Sequence, residues 1–189
     1  MKKERGIITG NGGFSIIELL VVSAIIATFS VVLILNFRSS PTSKTARVQT
    51  ASVVLSDIRR AQSLALSGSR YQGNLVCGYG FHYVNPTSYF IYVKTVPVSG
   101  PCSSVATHNY QSGDPITENK ILINTNMEFR SSFNDIFFEP PDPKTYINNK
   151  SSLNIPPATL TIQLKNQNNC AQNTCTEINV FTSGQIDLK

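Results

Sequence analysis

The chain has 189 residues, and its formal net charge of +5 is a mild basic excess. Beyond an apolar N-terminal run, about 150 residues remain, which suits one globular domain with its own core. The lysines and arginines are scattered along the sequence, whereas electrostatic binding of DNA requires a clustered basic patch. Composition therefore disfavours a nucleic-acid-binding domain.

The N-terminal run is apolar from Phe14 to Leu35, with Glu18 as its only charge. A helix of this length rises by roughly 33 Å at about 1.5 Å per residue, which is enough to cross a bilayer. The sequence therefore predicts a transmembrane helix over residues 14–37. An acid inside such a span is costly, which indicates a functional role and a cationic partner.

Two ordinary explanations of this run leave Glu18 unexplained. A secretory signal would account for the basic residues among residues 2–5, but the run is too long and lacks an A-x-A-like cleavage site. A plain signal anchor accounts for the length alone. Cleavage between Gly13 and Phe14 would create an α-amino cation near Glu18 of the same or a neighbouring subunit. Opposite charges at short range in a low dielectric stabilise each other.

The segment Gly13-Phe14-Ser15, with Glu18 and the following Leu-Leu-Val-Val behind a short Lys/Arg leader, resembles the type IV pilin and type II secretion pseudopilin family. The resemblance implies that a prepilin peptidase cleaves after Gly13 and methylates the new N-terminus. Residues 1–13 would then be a leader peptide, and Phe14 would be N-methylated. Glu18 matches the carboxylate that aids docking of subunits in the filament of that family.

The resemblance also implies a location and a set of partners. The N-terminus would lie in the cytoplasm, the helix would cross the inner (cytoplasmic) membrane once, and residues 38–189 would form an exported periplasmic or extracellular domain that becomes filament-associated. The implied partners are prepilin peptidase, other pilin or pseudopilin subunits, an inner-membrane assembly platform and, before assembly, membrane lipid.

Within the family, the layout is most similar to the minor pseudopilin group related to GspH and FimT. Some members of that group bind DNA through arginines near the C-terminus. Residues 183–189 contain no arginine and include Asp187, which disfavours nucleic acid as a partner.

The four cysteines would lie in an oxidising compartment after export, where disulfides persist. Cys170 and Cys175 are close together in a polar, turn-forming stretch, which favours a local disulfide. Elimination then leaves Cys77 to pair with Cys102. Zinc binding and free thiols are the alternatives, but neither pair has C-x-x-C spacing and the two histidines are isolated.

The remainder of the chain combines one helix with many strands. Pro41 predicts a break after the apolar run, and helical periodicity resumes as an amphipathic helix over about 44–67, with Gly68 as its stop. Period-two alternation marks a β-rich region over about 74–188. The predicted strands are 77–83, 89–93, 120–123, 126–130, 135–139, 158–164, 177–181 and 185–188.

Strands that follow a helix, rather than alternating with helices, predict an α+β fold with antiparallel sheet. By resemblance to pilins, the expected architecture is a long N-terminal helix whose membrane-spanning first half is followed by a second half packed on the apolar face of the sheet. The turn Thr182-Ser183-Gly184 is predicted to connect the last two strands as a tight hairpin.

No segment carries a catalytic motif such as G-x-S-x-G, H-E-x-x-H or a Walker loop, and no cofactor is expected. His82 in an aromatic strand and His108 in a polar loop suit structural or solvated roles. We therefore expect a non-enzymatic structural subunit, minor by its likeness to GspH and FimT, of a type IV pilus-like or type II secretion pseudopilus filament. The alternatives are a DNA- or surface-binding minor pilin of competence or adhesion, using residues 96–118, and a membrane-anchored secreted enzyme.

Overall fold

A computed structural model describes residues 15–38, 41–68, 70–96, 101–102, 105–141, 144–167, 169–170 and 174–189. The chain divides into two compact units, Met1–Thr42 and Ser43–Lys189. We call the first the N-terminal unit and the second the head.

Helix α1, Ile16–Arg38, forms most of the described part of the N-terminal unit. It begins directly after Ser15, whose carbonyl accepts hydrogen bonds from the backbone N–H groups of Glu18 and Leu19 at 3.0 and 3.2 Å. Glu18 lies in the first turn, where the helix dipole favours a negative charge.

In the described part of the chain, no helix combines the length and the apolar character needed to cross a membrane. The predictions of a transmembrane helix over residues 14–37 and of a single-pass inner-membrane location are therefore wrong.

The expected fold with one long N-terminal helix on the sheet is also wrong. Among the described residues the helical region consists of two helices, α1 and α2 (Pro41–Leu66). Pro41 is the first residue of α2, a position that suits proline because its missing N–H would have no partner there. The described apolar core contains residues of α2 and of the strands and none of α1. Gly68 follows α2 with φ +59°, a left-handed conformation that commonly ends a helix.

A five-stranded antiparallel sheet forms the first part of the β region. Its spatial order is β3-β2-β1-β5-β6. The strands are β1 Val76–Asn85, β2 Ser88–Thr95, β3 Ile116–Ile121, β5 Ile136–Glu139 and β6 Lys144–Ile147. The turn between β1 and β2 is closed by Asn85, whose side-chain oxygen accepts the N–H of Thr87 at 2.9 Å.

A four-stranded antiparallel sheet has the order β4-β7-β8-β9. Its strands are β4 Met127–Phe129, β7 Ala158–Leu164, β8 Cys175–Val180 and β9 Ile186–Leu188. The connection from β8 to β9 is a tight turn, in which the N–H of Gly184 donates to the carbonyl of Phe181 at 2.9 Å.

One apolar core joins α2 to both sheets. The contribution of α2 is a stripe at three- and four-residue spacing that includes Val54, Ile58 and Ala61, all almost fully buried. The rings of Phe81 and Tyr89, whose centroids are 4.7 Å apart, belong to the same core. Every described member of this core lies in the head, so the head has an apolar core of its own, as a domain that folds independently requires.

Candidate functional site

The described surface of α1, residues 16–31, is apolar on every side apart from Glu18. Its large apolar side chains are exposed over 48–83% of their area from residue 16 to residue 31. They are Ile16, Ile17, Leu19, Leu20, Val21, Val22, Ile25, Ile26, Phe29 and Val31. A helix that is apolar all round is normally buried against other apolar surface. The described side chains of α1 therefore form an association surface.

The polar side chains of α1 do not interrupt this surface. The hydroxyls of Ser23, Thr28 and Ser30 donate to backbone carbonyls three or four residues earlier, at 2.7–2.9 Å. Such bonds satisfy a hydroxyl without water. Glu18 is the only charged residue between residues 15 and 31, and it is exposed. One carboxylate near the start of an apolar helix is thus the chemically distinctive group among the described side chains of α1.

The residues singled out in the sequence fall into three groups. Gly13 and Phe14 lie outside the described residues, so cleavage and N-methylation stay predictions. Glu18 belongs to the N-terminal unit, and the four cysteines belong to the head. Glu18 and the cysteines therefore belong to separate units of the chain.

The cysteines form two disulfides within the head. Cys77 at the start of β1 is bonded to Cys102, with a Cα–Cα distance of 5.1 Å, and Cys170 is bonded to Cys175 at the start of β8, with 5.3 Å. These are the pairs that the sequence favoured. The first disulfide attaches the segment after β2 to β1, and the second closes the connection between β7 and β8.

Removing the two disulfides separately should have unequal effects on the stability of the head. The Cys77–Cys102 bond spans 25 residues and the Cys170–Cys175 bond spans 5. In the chain-entropy model, losing them costs about 3.5 and about 2 kcal/mol. We expect the Cys77→Ser/Cys102→Ser head to unfold at a lower urea concentration than the Cys170→Ser/Cys175→Ser head. The reverse order would show that loop closure is not what these bonds contribute.

Residues 105–115, which we call the strap, lie against the outer face of the five-stranded sheet. The imidazole of His108 stacks on the ring of Tyr146, with centroids 3.6 Å apart and an interplanar angle of 7°. The hydroxyl of Tyr92 donates to the carbonyl of His108 at 2.5 Å, and the N–H of His108 donates to Asn149 Oδ1 at 2.8 Å. The strap is thereby fastened to both β2 and the turn after β6.

A histidine–carboxylate pair holds the middle of the strap. Asp135 Oδ1 is 2.6 Å from His82 Nδ1, and Asp135 Oδ2 accepts the N–H of Tyr110 at 2.7 Å. The ring of His82 also stacks on Phe90 with centroids 4.7 Å apart. Because both carboxylate oxygens are engaged by the strap and by β1, this pair fixes the fold locally, which is the structural role expected for His82.

A buried ion pair holds the end of the strap. Lys94 Nζ is 2.6 Å from Asp114 Oδ2, and the Lys94 side chain is only 6% exposed. Both residues line a surface cavity of about 360 Å³, where their charges compensate each other. Within the described ranges, no group of three or more His, Cys, Asp or Glu side chains is arranged to hold a metal ion.

Two buried phenols have raised pKa values. Burial, followed by the hydrogen bond to Asp57, raises the pKa of Tyr89, and burial, followed by the charges of Asp135 and Asp114, raises the pKa of Tyr92. The hydroxyl of Tyr89 donates to Asp57 Oδ2 at 2.6 Å. Both phenols therefore stay neutral at physiological pH and serve as hydrogen-bond donors that join β2 to α2 and to the strap.

Comparison with known proteins gives no relative: no family model, no curated protein and no solved structure matches this chain.

Proposed function

We propose that the chain is a structural subunit of a type IV pilus-like or type II secretion pseudopilus filament, most similar to the minor pseudopilins related to GspH and FimT. Prepilin peptidase would remove residues 1–13, and other subunits and an assembly platform would be its further partners. One observation carries the proposal: α1 exposes apolar side chains on every side and carries a single carboxylate, Glu18, just after the Gly13-Phe14 motif.

The apolar surface supplies the attraction in this proposal. Each large apolar side chain that passes from water into a packed interface contributes roughly 1.5–3 kcal/mol. Helices such as α1 therefore gain most when they pack against one another, and the hydroxyls of Ser23, Thr28 and Ser30 add no cost because they are bonded within the helix. Apolar burial alone, however, does not fix how neighbouring helices are aligned along their axes, because it is not directional.

Glu18 supplies the register. A carboxylate buried between helices is strongly destabilising unless a cation compensates it. The nitrogen of Phe14 is part of a peptide bond before cleavage and becomes a basic amine after it. Pairing of this amine with Glu18 of a neighbouring subunit would therefore both require processing and fix how the helices align.

The two disulfides support a role outside a reducing compartment, since such bonds persist where the surroundings are oxidising. The head would then be the part of the subunit that requires oxidising surroundings. The strap, held by Asp135, Lys94–Asp114 and Tyr146, would belong to that rigid head.

Gly13→Val tests the proposal in the native host. We expect the wild-type chain to have an intact mass that lacks Met1 to Gly13, and the Gly13→Val chain to retain them, because a branched side chain would not fit where the peptidase requires glycine. The unprocessed variant should also be missing from sheared filaments. Gly10→Val, three residues upstream, is the matched control and should mature normally. A Gly13→Val chain that still begins at Phe14 would contradict the proposal.

A further inference from the structure

Strand β3 is an edge strand of the head. In the described residues its strand partner is β2, and the sheet ends at β3. Lys120 lies opposite Tyr89, and the N–H of Leu122 donates to the carbonyl of Thr87 at 2.9 Å. Backbone groups of an antiparallel strand point alternately to its two sides. The backbone N–H and C=O groups of Glu118, Lys120 and Leu122 therefore point toward β2. Those of Asn119 and Ile121 point toward the open edge.

The side chains around this edge are self-complementary in charge. Asn119 is flanked by Glu118 on one side and Lys120 on the other. If β3 pairs antiparallel with β3 of a second copy and the two Asn119 residues are opposite each other, Glu118 of each copy lies opposite Lys120 of the other. In the same register the outward N–H and C=O groups of Asn119 can bond to the C=O and N–H groups of Asn119 in the second copy. Charge and hydrogen-bonding pattern thus select the same alignment.

We infer that β3 is a docking edge through which the head binds the head of a second copy of this chain about a two-fold axis at Asn119, joining the two five-stranded sheets into one continuous sheet. An interface about a two-fold axis uses the same patch on both subunits. Addition of a strand to an exposed sheet edge obtains its affinity from main-chain hydrogen bonds. No residue of α1 takes part, so this contact is additional to the proposed assembly through the N-terminal helix.

The charged side chains at this edge are already held in position. Glu118 Oε1 is 2.7 Å from Arg60 Nη2, and Glu118 Oε2 is 3.0 Å from Lys120 Nζ, so both side chains lie on the α2 side of the sheet. They are partly exposed, at 20% and 34%. Opposite charges directly across two antiparallel strands stabilise the pair, and like charges destabilise it. Little ordering is needed before a second copy can bind.

The other side of the same edge presents apolar surface. Ile121 is 72% exposed, and it lines a shallow cavity of about 370 Å³ together with Val84, Phe90 and Ile116. In the proposed register Ile121 faces Thr117 of the second copy, which covers part of its surface. A bulge in the pairing of β2 with β3 shortens the regular edge to Glu118–Ile121. The interface is therefore small, and we expect the dimer to depend on concentration.

A charge swap tests this inference on the head, residues 43–189, by sedimentation equilibrium up to about 1 mM. We expect the average mass of the wild-type head to rise from monomer toward dimer. Glu118→Lys alone places lysine opposite lysine, and Lys120→Glu alone places glutamate opposite glutamate, so each variant should weaken dimerisation about tenfold or more. An equimolar mixture of the two variants restores opposite charges at every pair and should dimerise like the wild type.

This mixture is its own control for folding, because two misfolded variants would not restore a dimer. A wild-type head that stays monomeric over the whole range would overturn the inference. It would also be overturned if either variant alone dimerised as strongly as the wild type. The same holds if the mixture dimerised as weakly as each variant alone.

A cysteine placed on the two-fold axis gives a second test in the full chain. Directly opposite residues of a hydrogen-bonded antiparallel pair have Cα atoms about 5.5 Å apart, within the range of a disulfide. Asn119→Cys should therefore form a covalent dimer under mild oxidation, seen on a non-reducing gel. Thr117→Cys should not, because the two copies of residue 117 would be about 13 Å apart along the strands. Equal crosslinking of both variants, or none for Asn119→Cys, would contradict the register.

Discussion

Glu18→Val is expected to lower the amount of the chain in filaments by about a hundredfold or more. Glu18 is the only charged group on the described surface of α1, and we propose that it pairs with the amine that processing exposes at Phe14. Valine preserves the apolar surface but leaves that amine without its carboxylate. Removing one partner of a buried ion pair costs roughly 3–5 kcal/mol, which corresponds to more than a hundredfold in an equilibrium constant.

The measurement is quantification of the head in sheared filaments relative to the whole cell. Ser23→Val is the matched control, because it also replaces a polar side chain of α1 by valine but removes only a hydroxyl bonded to the carbonyl of Leu20 within the helix. We expect Ser23→Val to enter filaments like the wild type. Intact mass must show that both variants begin at Phe14. Normal incorporation of a processed Glu18→Val chain would refute the pairing.

Gly80→Ala is expected to destabilise the head by about 3 kcal/mol, at the upper end of the usual cost of overpacking a core. Gly80 on β1 lies opposite Tyr92 on β2, and a Cβ atom at Gly80 would overlap the ring of Tyr92. That ring cannot easily move, since Tyr92 is fully buried and its hydroxyl is bonded to the carbonyl of His108. For a domain of this size the melting temperature should fall by about 10 °C.

A double variant separates the ring contact from a general effect of alanine in a strand. Tyr92→Leu removes the atoms that a Cβ at Gly80 would meet, so Gly80→Ala should cost much less in the Tyr92→Leu background than in the wild type. Contacting residues are expected to show this kind of non-additivity. If the Gly80→Ala head melted within about 2 °C of the wild type, a Cβ at Gly80 would not clash with the Tyr92 ring. Strictly additive effects of the two substitutions would show the same.

Much of the head could be predicted from local pattern. Alternating aromatic and small residues marked β1 and β2, and the polar stretch between Cys170 and Cys175 marked a short closed loop, because both signals depend on neighbours in sequence. The break at Pro41 was predictable for the same reason. Strand β6, Lys144–Ile147, was missed. It is only four residues long and has too few alternations to be distinguished from a loop.

The polar contacts of the head could not be predicted, because they depend on residues far apart in the chain. Arg47 and Asp57 of α2 are charged, yet both are buried. The Nε of Arg47 donates to Thr176 Oγ1 at 3.1 Å, and Asp57 accepts the hydroxyl of Tyr89. A helical wheel shows which face is mainly apolar, but it does not show where a sheet offers a hydroxyl to a charged residue at the margin of that face.

The N-terminal helix shows a different kind of error. Hydropathy predicted a membrane span because the run is long and almost uncharged, and the resemblance to pilins implied one long helix made of this run and the helix that follows it. In the described residues Pro41 is the first residue of a separate helix, and neither helix is both long and apolar enough to cross a membrane. The same apolar side chains are the basis of the proposed contact with other subunits, because packing against protein removes them from water just as lipid would.

The most direct test of the central claim is the intact mass of the wild-type chain recovered from sheared filaments of the native host. The proposal predicts that the chain is present in this fraction and that its mass corresponds to residues 14–189 with two disulfides and one N-terminal methyl group. A chain that stays outside the filament fraction, or that still carries Met1 to Gly13 within it, would contradict the claim.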